Sequence, residues 1–162
     1  MQPEFEKYIE QTVEAYSATV LRIAFQNVKN HASAEDVTQE VFLRLMAQPM
    51  FADPAHLRAW LIRVTVNYCR DLLRSGWFRK TEPLEDYRES IPFEPEEREL
   101  LDELRRMPAN YRNTLYLYFY EGYTVPEIAQ VLGKKTNTVS SWLTRGKRLL
   151  RDRLTEGEFI YG

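Results

Sequence analysis

TVPEIAQVLGKKTNTVSSWLTRGKRLL, residues 124–150, holds two short helical patterns joined at a glycine. Thr124, with Glu127 three residues on, makes a capping-box pattern that starts the first. Ile128, Ala129 and Leu132 then share one side. Gly133 stands where the chain must turn sharply, and glycine takes a positive φ at little cost. A second helix is predicted from near Asn137, burying Val139, Leu143, Leu149 and Leu150. Ala129 is small where the two helices must approach. Together these features define a helix-turn-helix. Its second helix keeps Asn137, Ser140, Ser141, Thr144 and Arg145 on or near the outer face, where polar side chains can reach base edges in a major groove. Lys134, Lys135, Lys147, Arg148 and Arg151 flank them and can neutralise phosphates.

The charge layout supports this reading. The chain has 162 residues and a net charge of -2, but the charge is uneven. From Thr81 to Glu103 ten acids face two arginines; from Lys134 to Arg153 seven bases face one acid. A basic end next to an acidic connector suits a chain whose basic end meets a polyanion.

Upstream, Phe5, Ile9, Val13, Tyr16, Val20, Ala24 and Val28 recur at steps of three and four, predicting one long helix. In the next helix Ser33 is read as the N-cap with Asp36 in a box-like position. Val37, Val41 and Leu45 form its apolar row, with Phe42 and Met46 beside it. Two prolines in AQPMFADPAH break that helix. Leu57, Leu61, Val64, Tyr68 and Leu72 predict a third. The expected fold is all-α: a small helical domain over 1–75, a flexible acidic linker over 76–95 with local structure around Trp77 and Phe78, and a helical domain over 96–162 carrying the helix-turn-helix. In the last, Pro108 is expected to open a helix and Gly122 to stop one.

These blocks resemble a known family. EGYTVPEIAQVLGKKTNTVSSWLTRGKRLL is similar to region 4 of the extracytoplasmic-function (ECF) sigma factors of bacterial RNA polymerase. SAEDVTQEVFLRLM resembles their region 2.2, and HLRAWLIRVTVNYCRDLLRS their regions 2.3 and 2.4. The blocks come in the family's order along nearly the whole chain. The resemblance implies an alternative sigma factor that directs initiation at -10 and -35 elements and helps to melt DNA. Asp36, Gln39, Glu40, Phe42 and Leu43 match the helix that docks on the clamp helices of the largest polymerase subunit. Arg63, Asn67, Arg70, Asp71 and Arg74 match the helix that meets the -10 element, with Trp60 beside them. The loop QPMFADPAH stands where the family captures an unstacked base. Ser140, Ser141, Thr144 and Arg145 match the row that reads the -35 element. Residues 111–119 match a segment that touches the flap of the second-largest subunit, and an anti-sigma factor is an implied further partner. The -35 helix departs from the common pattern: Ser140 stands where a basic residue is frequent, Trp142 for a frequent arginine and Gly146 for a frequent alanine.

Other classes fit less well. A conventional helix-turn-helix regulator, independent of polymerase, shares the C-terminal half but leaves EDVTQEVF without a role and would ordinarily need a dimer. No catalytic triad order, glycine-rich phosphate loop or metal-ligand spacing points to an enzyme, a cofactor or a metal. The single cysteine, Cys69, fits a reducing cytoplasm and is read as a buried structural thiol. The charged start MQPEFEKYIE lacks the apolar segment of a secretory signal, and no run is long enough to span a membrane.

Overall fold

The computed structural model describes residues 2–76 and 97–161, with side chains to residue 155. The chain divides into two compact units, Met1–Phe93 and Glu94–Gly162. The expected linker, from residue 77 on, and the segment at Trp77 and Phe78 lie outside the described residues. Among those described, the structure is all helical.

The first unit packs three helices: α1 (Pro3–Asn27), α2 (His31–Met46) and α3 (Pro54–Arg74). The apolar stripe of α1 is fully buried only from Val20 onward; Phe5, Ile9 and Tyr16 are half-buried and Val13 is exposed. The last turn of α1, with Ile23, Ala24 and Phe25, is enclosed almost all round. Val37, Val41 and Leu45 of α2 close the core against it.

Two local expectations are corrected. The N-cap of α2 is Asn30, not Ser33: the Ser33 N–H donates to the Asn30 side-chain oxygen at 2.8 Å. Asparagine at the earlier position satisfies an orphan donor, so the helix begins sooner and Ser33 is buried inside its first turn. In α3 the buried row is Leu57, Leu61, Thr65 and Cys69 with Ile62, while Val64, Tyr68 and Leu72 are half-buried. Thr65 tolerates burial because its hydroxyl donates to the Leu61 carbonyl at 2.6 Å. Asp53 caps α3, accepting from the Ala55 N–H at 2.9 Å.

The second unit comprises α4 (Arg98–Arg105), α5 (Ala109–Leu115), α6 (Val125–Leu132) and α7 (Thr136–Tyr161). Pro108 is the N-cap of α5 and not its first helical residue. A π-helical turn, Tyr116–Tyr120, prolongs α5 and ends where Gly122 takes φ 77°. The Tyr123 N–H then donates to the Leu117 carbonyl at 3.0 Å, closing the helix end. Leu101, Leu104, Met107, Leu115, Tyr116 and Leu117 are buried with Val139, Leu143 and Leu150 of α7; Leu149 is only half-buried. The Arg153 Nε donates to Glu103 at 2.9 Å, tying α7 to α4.

Gly146 explains how α5 and α7 come so close. A Cβ placed there would lie 3.1 Å from Leu115 Cδ1 and 3.3 Å from Tyr111 Cβ. The missing side chain therefore permits a tight helix crossing, although a mid-helix glycine costs about 1 kcal/mol relative to alanine.

Candidate nucleic-acid interface

The helix-turn-helix is built by local chemistry. Glu127 N–H donates to the Thr124 hydroxyl at 3.3 Å, and Thr124 N–H donates to the Glu127 carboxylate at 3.0 Å. That completes the capping box. Gly133 takes the left-handed conformation, φ 68°, and the Lys134 N–H donates back to the Ala129 carbonyl at 2.9 Å. Ile128, Ala129 and Val131 of α6 are buried, and α6 packs on α7.

This support fixes the outer face of α7. Asn137, Ser140, Ser141, Thr144, Arg145 and Arg148 are all exposed and line one shallow concavity. Thr144 donates its hydroxyl proton to the Ser140 carbonyl at 3.1 Å. Lys134 and Lys135 are exposed in the turn before α7. Cations beside the positive end of a helix cost a few tenths of a kcal/mol of stability but concentrate positive potential there. Lys147 stands apart from the concavity: its Nζ lies 5.2 Å from the Tyr118 ring centroid and 5.5 Å from that of Phe119. Those rings meet edge to face at 5.0 Å, and Phe119 is 53% exposed. Trp142 is half-buried.

On α3, Arg63, Arg70, Asp71 and Arg74 are exposed and Asn67 half-exposed, opposite the row of Leu57, Leu61 and Thr65. Arg70 approaches Asp71 at 3.5 Å, an exposed pair of little energetic weight. Trp60 is half-buried against Phe51, ring centroids 5.8 Å apart. The Phe51 N–H donates to the Tyr8 hydroxyl at 3.2 Å, so α1 pins the loop before α3. Tyr8, Tyr16, Phe51 and Leu57 line a groove beside that loop. The sequence reading missed this groove, because residues 43 apart in the chain carry no local pattern that pairs them.

On α2 the docking set separates. Asp36 and Gln39 are exposed, Glu40 is partly exposed, and Leu43 is 60% exposed. Phe42 is only 8% exposed and packs into the core. Met46, the last residue of α2, and Met50, in the loop after it, are also exposed. Arg44 donates from Nε to Glu40 at 3.1 Å, and its guanidinium lies 4.5 Å from the Tyr68 ring centroid.

Two helical units, the second with a helix-turn-helix, define a DNA-binding class of protein. Comparison narrows it. Residues 12–79 match Sigma-70 region 2, and residues 97–150 match Sigma-70, region 4. The ECF RNA polymerase sigma factor SigL of Mycobacterium tuberculosis is 33% identical over 153 residues, covering 88% of this chain and 86% of SigL. The ECF RNA polymerase sigma factor SigE of Mycolicibacterium smegmatis is 30% identical over 158 residues, covering 91% of this chain. The chain spans 62% of the length of that SigE. The structure of the sigma factor RpoE in complex with the anti-sigma factor NepR from Bartonella quintana has a similar fold, with a TM-score of 0.71 at 18% identity over 90% of this chain and 96% of RpoE. The chain belongs to the ECF family of RNA polymerase sigma factors. Among the described residues no helix is long and apolar enough to cross a membrane, and no cluster of His, Cys, Asp or Glu is arranged to hold a metal.

Proposed function

We propose that the chain is a promoter-specificity subunit, working in the cytoplasm, that binds core RNA polymerase and directs initiation from -10 and -35 elements. The observation that carries this is the pairing of both sigma regions in one chain, the second with a base-accessible polar row on α7. In this reading residues 1–75 dock on the clamp helices through Asp36, Gln39, Glu40 and Leu43. Arg63, Asn67, Arg70 and Arg74 hold the -10 strand, and Asp71 lies beside Arg70 next to them. Phe42 serves the docking helix from inside, as core. Residues 96–162 read the -35 element and meet the flap through the aromatic surface near Phe119. The acidic segment 76–95 tethers the two domains, so that two weak sites gain from effective concentration. An anti-sigma factor covering the polymerase-binding faces is a further partner; the similarity to RpoE, solved with NepR, supports it. The subunit supplies recognition and strand trapping and no catalytic group of its own.

The test is transcription by bacterial core polymerase lacking other sigma factors, on genomic fragments, with start sites sequenced. Discrete starts preceded by shared -10 and -35 elements are expected. DNA binding that does not depend on core, with no new starts, would instead identify a conventional regulator.

A further inference from the structure

The six side chains in the α7 concavity are not equivalent as readers of DNA. Ser140 and Ser141 carry hydroxyls, which pair with any base and discriminate weakly. Thr144 has already given its only proton to the Ser140 carbonyl. Arg148 lies eleven residues beyond Asn137, roughly 16 Å along the helix axis, away from the end that enters a groove. Arg145 is the base-facing arginine expected from the family pattern. Asn137 is different: it carries a donor and an acceptor side by side on one short, planar amide.

Its position suits that chemistry. Asn137 follows Thr136, the first residue of α7, and is exposed. In helix-turn-helix docking, the first residues of the second helix reach the base edges. The Asn137 amide makes no hydrogen bond to another described residue, so it is not spent on capping the helix. The backbone beneath it is held by the Gly133 turn and by the Val139 N–H, which donates to the Lys135 carbonyl at 3.1 Å.

We infer that Asn137 is a specificity-determining residue that selects an adenine within the -35 element. Its Oδ1 accepts from adenine N6–H, and its Nδ2 donates to adenine N7. Eight residues separate Asn137 from Arg145, about 12 Å of helix. The selected adenine therefore lies within about four base pairs of the base that Arg145 contacts, given roughly 3.4 Å of rise per pair. This inference rests on the sigma-factor reading above.

The experiment uses the full chain with core polymerase and a promoter library randomised across the -35 element. Transcripts are sequenced for the wild type, Asn137→Ala and Arg145→Ala, and thermal melts verify that each variant folds. The wild type should favour adenine at one position by about five- to 150-fold, the discrimination of one good bidentate pair. Asn137→Ala should level that position alone, and Arg145→Ala should level a different one within four pairs of it. An unchanged adenine preference in Asn137→Ala overturns the inference. So does a uniform loss across all sequences, which would make Asn137 a backbone contact. A wild type that gives no core-dependent starts on any library member refutes the sigma reading itself, a result the other two outcomes cannot mimic.

Discussion

Gly146 offers a test in which two terms of known size oppose each other. Replacing a mid-helix glycine by alanine ordinarily gains about 1 kcal/mol. Here the new Cβ would sit 3.1 Å from Leu115 Cδ1, 3.3 Å from Leu115 Cγ and 3.3 Å from Tyr111 Cβ. The Leu115 side chain can shift only against its own burial, and Tyr111 Cβ moves only with its backbone. Overpacking of this kind costs about 1–3 kcal/mol. The sum predicts that Gly146→Ala is neutral to about 2 kcal/mol destabilising. Gly146→Leu, with three further carbons at the same crossing, should separate α5 from α7. Hydrogen exchange of α5 and α7 amides reads this unit without interference from the first. Alanine should leave exchange unchanged or speed it up to about 30-fold, and leucine should abolish protection in both helices. Alanine slowing exchange about fivefold, the full propensity gain, would refute the claim that glycine is there for the crossing.

Other outcomes follow from the same geometry. Phe42→Ala should cost about 3–5 kcal/mol in thermal unfolding, whereas Leu43→Ala should stay within about 0.5 kcal/mol and instead weaken capture of core polymerase in a competition assay. Thr124→Ala removes the capping box and should destabilise α6 by about 0.5–2 kcal/mol, read as faster amide exchange at its first turn. Arg148→Ala should lower the slope of log affinity against log salt by about 0.9 for promoter duplex. Lys147→Ala should change that slope less, because its ammonium lies over the Tyr118 and Phe119 rings.

What was legible in the sequence was what local chemistry decides. The Thr124–Glu127 box, the Gly133 turn and the outward row of α7 each depend on residues within one or two turns, and each stands as read. The cap of α2 failed because two good capping residues, Asn30 and Ser33, lie three apart and either could open a helix. The face of α3 was legible in part: Leu57 and Leu61 are buried as expected, but apolar counting passes over threonine, and Thr65 hides its hydroxyl on its own helix. Phe42 and Leu43 are neighbours of like character in sequence, and only the packing of α2 against its partners tells the core residue from the exposed one. The use of Gly146 needed the distance to α5, which no spacing within α7 contains.

The composition of the α7 face also bears on the proposed dependence on core polymerase. Three of the six residues in the concavity are hydroxyl side chains, and only two are cations. Each phosphate neutralised contributes to affinity through counterion release, and this one face, with Lys134, Lys135 and Arg151 beside it, still offers the grip of a single half-site. Conventional helix-turn-helix proteins overcome weak half-site binding by pairing two copies on a palindrome. A chain carrying one such face, with a second cationic row on α3, can reach comparable occupancy only if both are engaged at once. In the proposed function, docking on a larger DNA-bound machine supplies that coupling. The exposed Leu43, beside Asp36 and Gln39 on α2, gives the first unit a surface chemically unlike the exposed row of Arg63, Arg70 and Arg74 on α3, which is what the proposed function asks of it.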